Sequence, residues 1–569
     1  MKRSNSLFTA CCQPRTLYVY YLLALLLPNI GLTLTEPMGW AARLCNLLLP
    51  LGVYAWMLTL SRRPGKALWW LFPLVFLAAF QLVLLYLFGR SVIAVDMFLN
   101  LLTTNPGEAI ELLDNLIPGV AGVFIVYLPA LALGICSIRG THLLSDRFRH
   151  TARRWATLAS VAGLFCLGLA RLTDAGYRPQ LHLYPVNAGY NLWLAIERTV
   201  RQAHYAETSR HFRFHATSTH DTLQAEAYVL VIGETARACH FSLYGYPRET
   251  NPLLSRLSGL TVFKKALTQS NTTHKSVPML LTAVSAERFD QIYQQKGILT
   301  AFREAGYHTF FFSNQRPNHS FIDFLGQEAD EWHFLKEERP PSENLSDSEL
   351  LAAVGHALQA GHRKLFIVLH TYGSHFNYRE RYPREMAHFQ PDSLTDAKYR
   401  NRASLVNAYD NSLRQTDALL ARLTHLLQAH DIPSAWLYTS DHGEDLFDDH
   451  RRLFLHASPL PTYYQLHVPL LVWLSPAYRH SYPQEATHLQ ANVGRPVSVS
   501  VSVFHTMLQL AGLRTPFLTD SLSLASDRFT PAPPCYLDDH NRPIPLGRLG
   551  LDSLDRQKLD SLIGSPGLF

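Results

Sequence analysis

The sequence predicts an N-terminal α-helical membrane domain of five transmembrane helices, followed by an exported α/β domain built on a largely parallel sheet. Three observations point there. Long apolar runs crowd the first third of the 569 residues. The loops between those runs alternate between basic and acidic. From residue 227 onward, short, continuously apolar, β-rich runs alternate with helical periodicity.

The five apolar runs are 17–35, 41–61, 67–89, 118–138 and 155–172. Each approaches the ~20 residues needed to cross ~30 Å of hydrocarbon. The fifth is the shortest and is rich in Ala and Gly. Five in succession are more than buried helices of a soluble core account for. Lys2, Arg3 and Arg15 precede the first run, Arg62, Arg63 and Lys66 follow the second, and Arg139, Arg147, Arg149, Arg153 and Arg154 follow the fourth. The other loops carry Glu36, Asp96, Glu108, Glu111 and Asp114. Positive charge stays on the cytoplasmic side, so the N-terminus is expected inside and everything after about residue 173 outside. The first run then serves as an uncleaved anchor. The net charge of +6 is read as topology; no basic stripe interleaved with aromatics suggests nucleic acid.

Of seven cysteines, Cys11, Cys12, Cys45, Cys136 and Cys166 lie in or beside the membrane region, and only Cys239 and Cys535 beyond it. That is too few for a disulfide framework, so the exported part must rely on its own core. The expected divisions are 1–172 for the membrane domain, 173–222 for a connector along the membrane, 223–527 for the exported domain and 528–569 for an irregular, Pro-rich tail. Within the membrane domain the long loop 91–116 has helical spacing at Ile93, Met97 and Leu101 and again at Ile110 and Leu113. It is expected either to form a surface-lying helix pair that holds lipid or to pack between domains.

The expected strands are 227–232 (AYVLVI), 308–313 (HTFFFS), 364–369 (KLFIVL), 435–439 (AWLYT) and 468–474 (VPLLVWL), with a long helix over 398–430. Continuous apolar strands separated by helices imply a sheet covered on both faces, with ligands just beyond the carboxyl ends of its strands. There the sequence places Glu234 after the first run, His370 and His375 after the third, and Asp441 and His442 after the fourth. Carboxylate oxygens and imidazole nitrogens are the donor set of zinc. The stretch ALTQSNTTHKSVPMLL (266–281) adds hydroxyls just ahead of Pro278, a residue suited to the first turn of a helix. A helix N-terminus there would favour an anion such as phosphate, and bonding to a divalent metal would make a threonine hydroxyl a competent nucleophile.

GETAR (233–237), FSLYGYPRETNP, TTHKSVP, LHTYGSHFNY, NAYDNSLRQTD, TSDHGED and HASP together resemble the membrane-bound phosphoethanolamine transferases of the alkaline phosphatase/sulfatase superfamily. The resemblance covers nearly the whole chain, five helices included, and implies an alkaline phosphatase/sulfatase-like fold for the exported domain. It implies that Glu234, Asp441, His442 and Thr273 bind zinc and that Thr273 is the nucleophile, with the adjacent Thr272 as the alternative. It places His375 and His456 near the transferred phosphate, and Asn314, Gln315, His319 and Lys275 on the substrate. Lipid A-modifying members bracket the nucleophile with cysteines, where this chain has Gln269 and Met279.

The implied reaction moves phosphoethanolamine from phosphatidylethanolamine, through a phospho-threonine, to lipopolysaccharide or another periplasmic glycan. Lipid A and an inner-core Kdo or heptose are the open acceptors. One zinc ion is expected, with a second and manganese as alternatives, in a bacterial inner membrane with the catalytic domain in the periplasm. The rival expectations are a glycerophosphotransferase of the same superfamily and a degenerate lipid-binding sensor. A sulfatase activity is not expected, because no Cys-x-Pro-x-Arg or Ser-x-Pro-x-Arg motif follows the GET strand.

Overall fold

The computed structural model describes residues 13–89, 91–103, 106–174, 176–337, 339–340, 343–394 and 397–564. Lys2, Arg3, Cys11 and Cys12 lie outside the described residues, as do the side chains of 101–116, among them Leu101, Glu108, Ile110, Glu111, Leu113 and Asp114. The chain divides into two compact units, Met1–Leu101 with Leu113–Arg198, and Leu102–Leu112 with Thr199–Phe569.

The helices of the first region are α1 (Pro14–Thr35), α2 (Trp40–Leu58), α3 (Pro64–Trp70), α4 (Phe72–Phe88), α5 (Val95–Thr103), α6 (Pro106–Arg139), α7 (Asp146–Thr173) and α8 (Val186–Ala203). Among the described residues α1, α2, the Ile117–Arg139 part of α6, and α7 are long and apolar enough to cross a membrane. The expected third span is broken. Helices α3 and α4 meet at a 70° bend, and the two count as a fifth crossing only when taken together. The second half of the expected loop pair is also not a separate helix, because Pro106 begins the same helix that runs on to Arg139.

The Ala and Gly of the fifth run have a packing reason. A methyl at Gly52 would come within 2.6 Å of the Ala156 carbonyl oxygen, and one at Gly163 within 2.6 Å of Leu49 Cα. Helices α2 and α7 therefore pack backbone to backbone, which only small residues permit. Asn29 of α1 and Asn46 of α2 each donate a side-chain N–H to the other's backbone carbonyl at 3.0 Å, which pairs the buried amide donors and ties the two helices together.

The second unit is built on a seven-stranded sheet. Its strands are β1 (Glu226–Gly233), β2 (Leu260–Val262), β3 (His308–Ser313), β4 (Glu331–Phe334), β5 (Lys364–His370), β6 (Ser434–Ser440) and β7 (Leu470–Leu474), in the order β2-β7-β6-β1-β5-β3-β4. The pairs β6-β1-β5-β3-β4 are all parallel, whereas β7 runs antiparallel to both β6 and β2. Alternation along β1 explains why the strand reads as continuously apolar. Tyr228, Leu230 and Ile232 face a core shared with Val277, Leu280 and Phe504, while Ala227, Val229 and Val231 face one shared with Leu405, Leu413 and Leu420. The first layer uses α9 (Thr273–Leu281) and α10 (Val499–Leu510), the second α11 (Arg402–Gln428).

The expected irregular tail is partly ordered into regular elements. Cys535–Leu537 pairs antiparallel with Pro543–Pro545, and Ser553–Ile563 is a helix whose Leu559 and Ile563 are buried beside Leu267 and Leu466.

Candidate active site

The parallel core strands β6, β1 and β5 end side by side, and the polar residues gather at that edge. Glu234 follows β1 directly, Asp441 and His442 follow β6, and all three are buried. Their ligand atoms lie within 4.8 Å of one another. His442 Nε2 is 3.7 Å from Glu234 Oε1 and 3.2 Å from Asp441 Oδ2. His442 Nδ1 lies 3.0 Å from the Gly443 carbonyl, which can only accept; the proton is therefore on Nδ1 and the Nε2 lone pair faces the cluster.

Backbone geometry aims these groups. Thr235 sits at φ +53°, a left-handed conformation costly for a β-branched residue, and its N–H donates to Asp441 Oδ1 at 3.1 Å. Gly373, after β5, has φ +50°, and a methyl there would come within 2.7 Å of the Glu234 carbonyl. The next residue, Ser374, donates its N–H to that same carbonyl at 2.9 Å. The β5 loop thus closes on the Glu234 backbone from one side, while on the other the preceding Gly233 accepts from the Asp441 N–H at the end of β6.

Thr273 is the first residue of α9. Its hydroxyl oxygen stands 3.1 Å from Glu234 Oε1 and 3.1 Å from His442 Nε2. Thr272, extended at the N-cap, turns its hydroxyl instead to Ser270 Oγ at 3.1 Å. The adjacent Asn271 donates to the Ser458 carbonyl and to Gln465 Oε1, and accepts from the Tyr536 hydroxyl at 2.6 Å. In the positions where lipid A-modifying members carry cysteine, Gln269 accepts from the Ala286 N–H at 2.9 Å, and Met279 is fully buried.

Burial holds His442 neutral, well below the usual imidazole range, and pushes Asp441 up to about 7, an effect that the N–H groups of His442 and Thr235 partly offset. Asp441 Oδ2 has no hydrogen-bond partner despite its burial. Two buried carboxylates, a neutral imidazole with its lone pair directed inward, and a hydroxyl form the O- and N-donor set of a four-coordinate zinc ion, and an unanswered carboxylate oxygen is what such an ion would satisfy. The residues fit the ion.

The two further histidines come to this cluster. The His456 ring is 4.3 Å from that of His442, and the His375 ring is 6.2 Å from that of His456. His375 donates Nδ1–H to the Phe376 carbonyl at 2.7 Å. Burial, with the nearby charges of Arg381 and His456, lowers it to about 3. Gln315 donates to Glu234 Oε2 at 3.2 Å and to the Thr371 carbonyl at 2.9 Å.

The remaining candidates are placed differently. Asn314 is fully buried with its amide on the Leu345 carbonyl and Asp347 Oδ1, so its N–H groups brace the β5 loop rather than face the cluster. Lys275 reaches the Asp538 carbonyl at 2.9 Å. His319 is exposed, at φ +59°.

Two residues without an assigned role matter here. Glu444 is fully buried with Oε2 3.5 Å from His456 Nδ1. Arg237, also buried, forks onto Asp448 at 2.7 and 2.9 Å and donates to the Glu444 carbonyl at 3.1 Å. The available signal was the charge inside GETAR and DHGED, each directly after a strand.

The sequence model of the sulfatase family matches residues 226–513. Phosphoethanolamine transferase EptC of Escherichia coli O18:K1:H7 is 29% identical over 296 residues, which is 50% of each chain, so the match spans about half the length of this curated relative. The integral membrane lipooligosaccharide phosphoethanolamine transferase A of Neisseria meningitidis shares the fold at TM-score 0.72 and 20% identity, over 90% of this chain and 98% of that one. The periplasmic domain of Escherichia coli EptC, solved in complex with Zn, aligns at TM-score 0.54 and 24% identity over 60% of this chain and 97% of that one. The chain belongs to the sulfatase family, and the relatives it resembles within that family are membrane-anchored phosphoethanolamine transferases.

Proposed function

We propose that the protein transfers phosphoethanolamine from phosphatidylethanolamine to a lipopolysaccharide-type acceptor on the periplasmic side of a bacterial inner membrane, with its N-terminus in the cytoplasm. The observation that carries this reading is the Thr273 hydroxyl, at a helix N-terminus and 3.1 Å from both Glu234 and His442. Glu234, Asp441, His442 and Thr273 would hold a zinc ion, which when bound favours the ionised hydroxyl and offsets negative charge on phosphate oxygens.

Thr273 Oγ attacks phosphorus; the Oγ–P bond forms and the bond to the diacylglycerol oxygen breaks. His456, its Nδ1 turned to Glu444, gives the departing oxygen its proton. The positive end of the α9 dipole, at Thr273, would offset negative charge on the phosphoryl oxygens. In the second half the acceptor oxygen attacks phosphorus; the new O–P bond forms, the P–Oγ bond breaks and Thr273 leaves as the ionised oxygen it was before attack. The neutral His456 takes the proton of a hydroxyl acceptor or, with an ionised phosphate acceptor, regains its proton from solvent.

The test is headgroup-labelled phosphatidylethanolamine in vesicles with the purified full-length chain. Label should appear on Thr273 and, with lipopolysaccharide added, on the glycolipid. Label that moves only from phosphatidylglycerol would replace this reading with glycerophosphate transfer, and no covalent label from either donor would leave a lipid-binding sensor.

A further inference from the structure

A second group of ligating atoms lies at the opposite end of the same sheet. His308 opens β3, Glu331 opens β4, and His362 stands two residues ahead of Lys364, the start of β5. These strands are parallel neighbours in the order β5-β3-β4, with His308 opposite Leu365 and Phe310 opposite Glu331. Register therefore gathers the three side chains at the amino ends of the strands, about 20 Å of strand away from the catalytic edge.

Their ligand atoms fall within 4.8 Å of one another. His308 Nε2 is 2.9 Å from Glu331 Oε1. The His308 and His362 rings stack with centroids 3.7 Å apart and planes 6° from parallel. Phe310 lies beside both imidazoles, with centroids at 4.9 and 6.3 Å, and supplies an apolar wall. Asp330 Oδ2 is 4.0 Å from His308 Nδ1 and is itself fixed by the N–H and hydroxyl of Thr309 at 2.9 and 2.8 Å. At that distance Asp330 adds negative charge beside the imidazole rather than a hydrogen bond, and the His308 Nε2–H bonded to Glu331 Oε1 marks the point where an ion would replace the proton.

We propose that His308, Glu331 and His362 bind a divalent transition-metal ion of zinc's class. Two imidazoles and one carboxylate suit zinc, cobalt, nickel or copper, and are a poor set for magnesium or calcium, which take oxygen ligands. The exposed His362 follows Gly361, and because stacked rings present their lone pairs in parallel planes, binding would require the His362 ring to rotate out of the stack toward His308 Nε2 and Glu331. The ion would tie the edge strand β4 to β3 and to the turn before β5. It would have no part in the transfer chemistry.

The experiment counts zinc in the full-length protein in detergent, stripped with a chelator and reloaded with Zn2+ alone. An E234Q/D441N variant, disabled at the catalytic edge, should keep one equivalent, and adding His362→Gln should remove it. The same E234Q/D441N chain loaded with Co2+ should show visible d–d absorption that disappears with His362→Gln. Because His362 is exposed, that substitution leaves the core untouched. An E234Q/D441N chain that binds no zinc, or a His362→Gln variant whose zinc content and affinity are unchanged, overturns the site and leaves only a surface His–Glu ion pair.

Discussion

Glu444 Oε2 lies 3.5 Å from His456 Nδ1, and the glutamate has no exposure to solvent. The imidazole facing the Thr273 pocket is thus oriented by a carboxylate that is held from behind, through its own backbone carbonyl, by Arg237. Such orienting partners typically account for 10–100-fold in activity. Glu444→Gln should lower kcat by about that factor with the zinc content of the protein unchanged, as measured by headgroup transfer and elemental analysis on the same sample.

Thr272 and Thr273 are neighbours whose hydroxyls point to different partners, Ser270 in one case and Glu234 with His442 in the other. Thr273→Ala should reduce transfer by at least about a thousandfold and leave no covalent phosphoethanolamine, the cost expected when a nucleophile is removed. Thr272→Ala should keep the adduct. Mass spectrometry of the peptide spanning 266–281 reads both.

Arg237 and Asp448 form a buried fork beneath the strand ends. The Arg237 charge outweighs burial and holds Asp448 below its ordinary range. Asp448→Ala would strand the guanidinium and should cost about 3–5 kcal/mol, the usual penalty for breaking a buried pair. Thermal unfolding followed by tryptophan fluorescence would show it, since Trp436 and Trp473 stack on adjacent strands of the same sheet.

At the other end of β1, Glu226 is fully buried. Burial alone would raise its carboxyl, but hydrogen bonds from His220, Tyr482 and Tyr307 and the charge of His220 outweigh it, so the folded-state value lies below 4.5. A carboxylate depressed by folding contributes stability that is fully present above its unfolded value and is lost as pH falls through the folded one. The sheet-bearing unit should therefore lose stability as pH drops below about 4.5. Glu226→Gln should flatten that acid limb of a melting-temperature profile while lowering the neutral plateau.

The central strands and their polar ends were legible in the sequence because burial on both faces leaves unbroken apolar runs, and those of β1 and β6 stop just before Glu234 and Asp441. Periodicity carries no strand direction, so the antiparallel β7 among parallel strands could not be read. Nor could β2 or β4, three and four residues long at the sheet's edges. The 70° break between α3 and α4 hid inside one continuous hydropathic run. Asn314 and Gln315 are adjacent and equally polar, and only the end of β3 decides that one braces a loop while the other reaches Glu234. Arg237 and Glu444 looked like ordinary charges until burial showed that neither meets water.

From far downstream Tyr536 and Asp538 grip the loop that carries Thr273, the Lys275–Asp538 bond alone bridging 263 positions of sequence. Because the chain is made from its N-terminus, Thr273 exists long before that clamp does. The loop therefore lacks these two holds until the downstream segment has docked, so a chain cut short before Tyr536 would leave it unsecured.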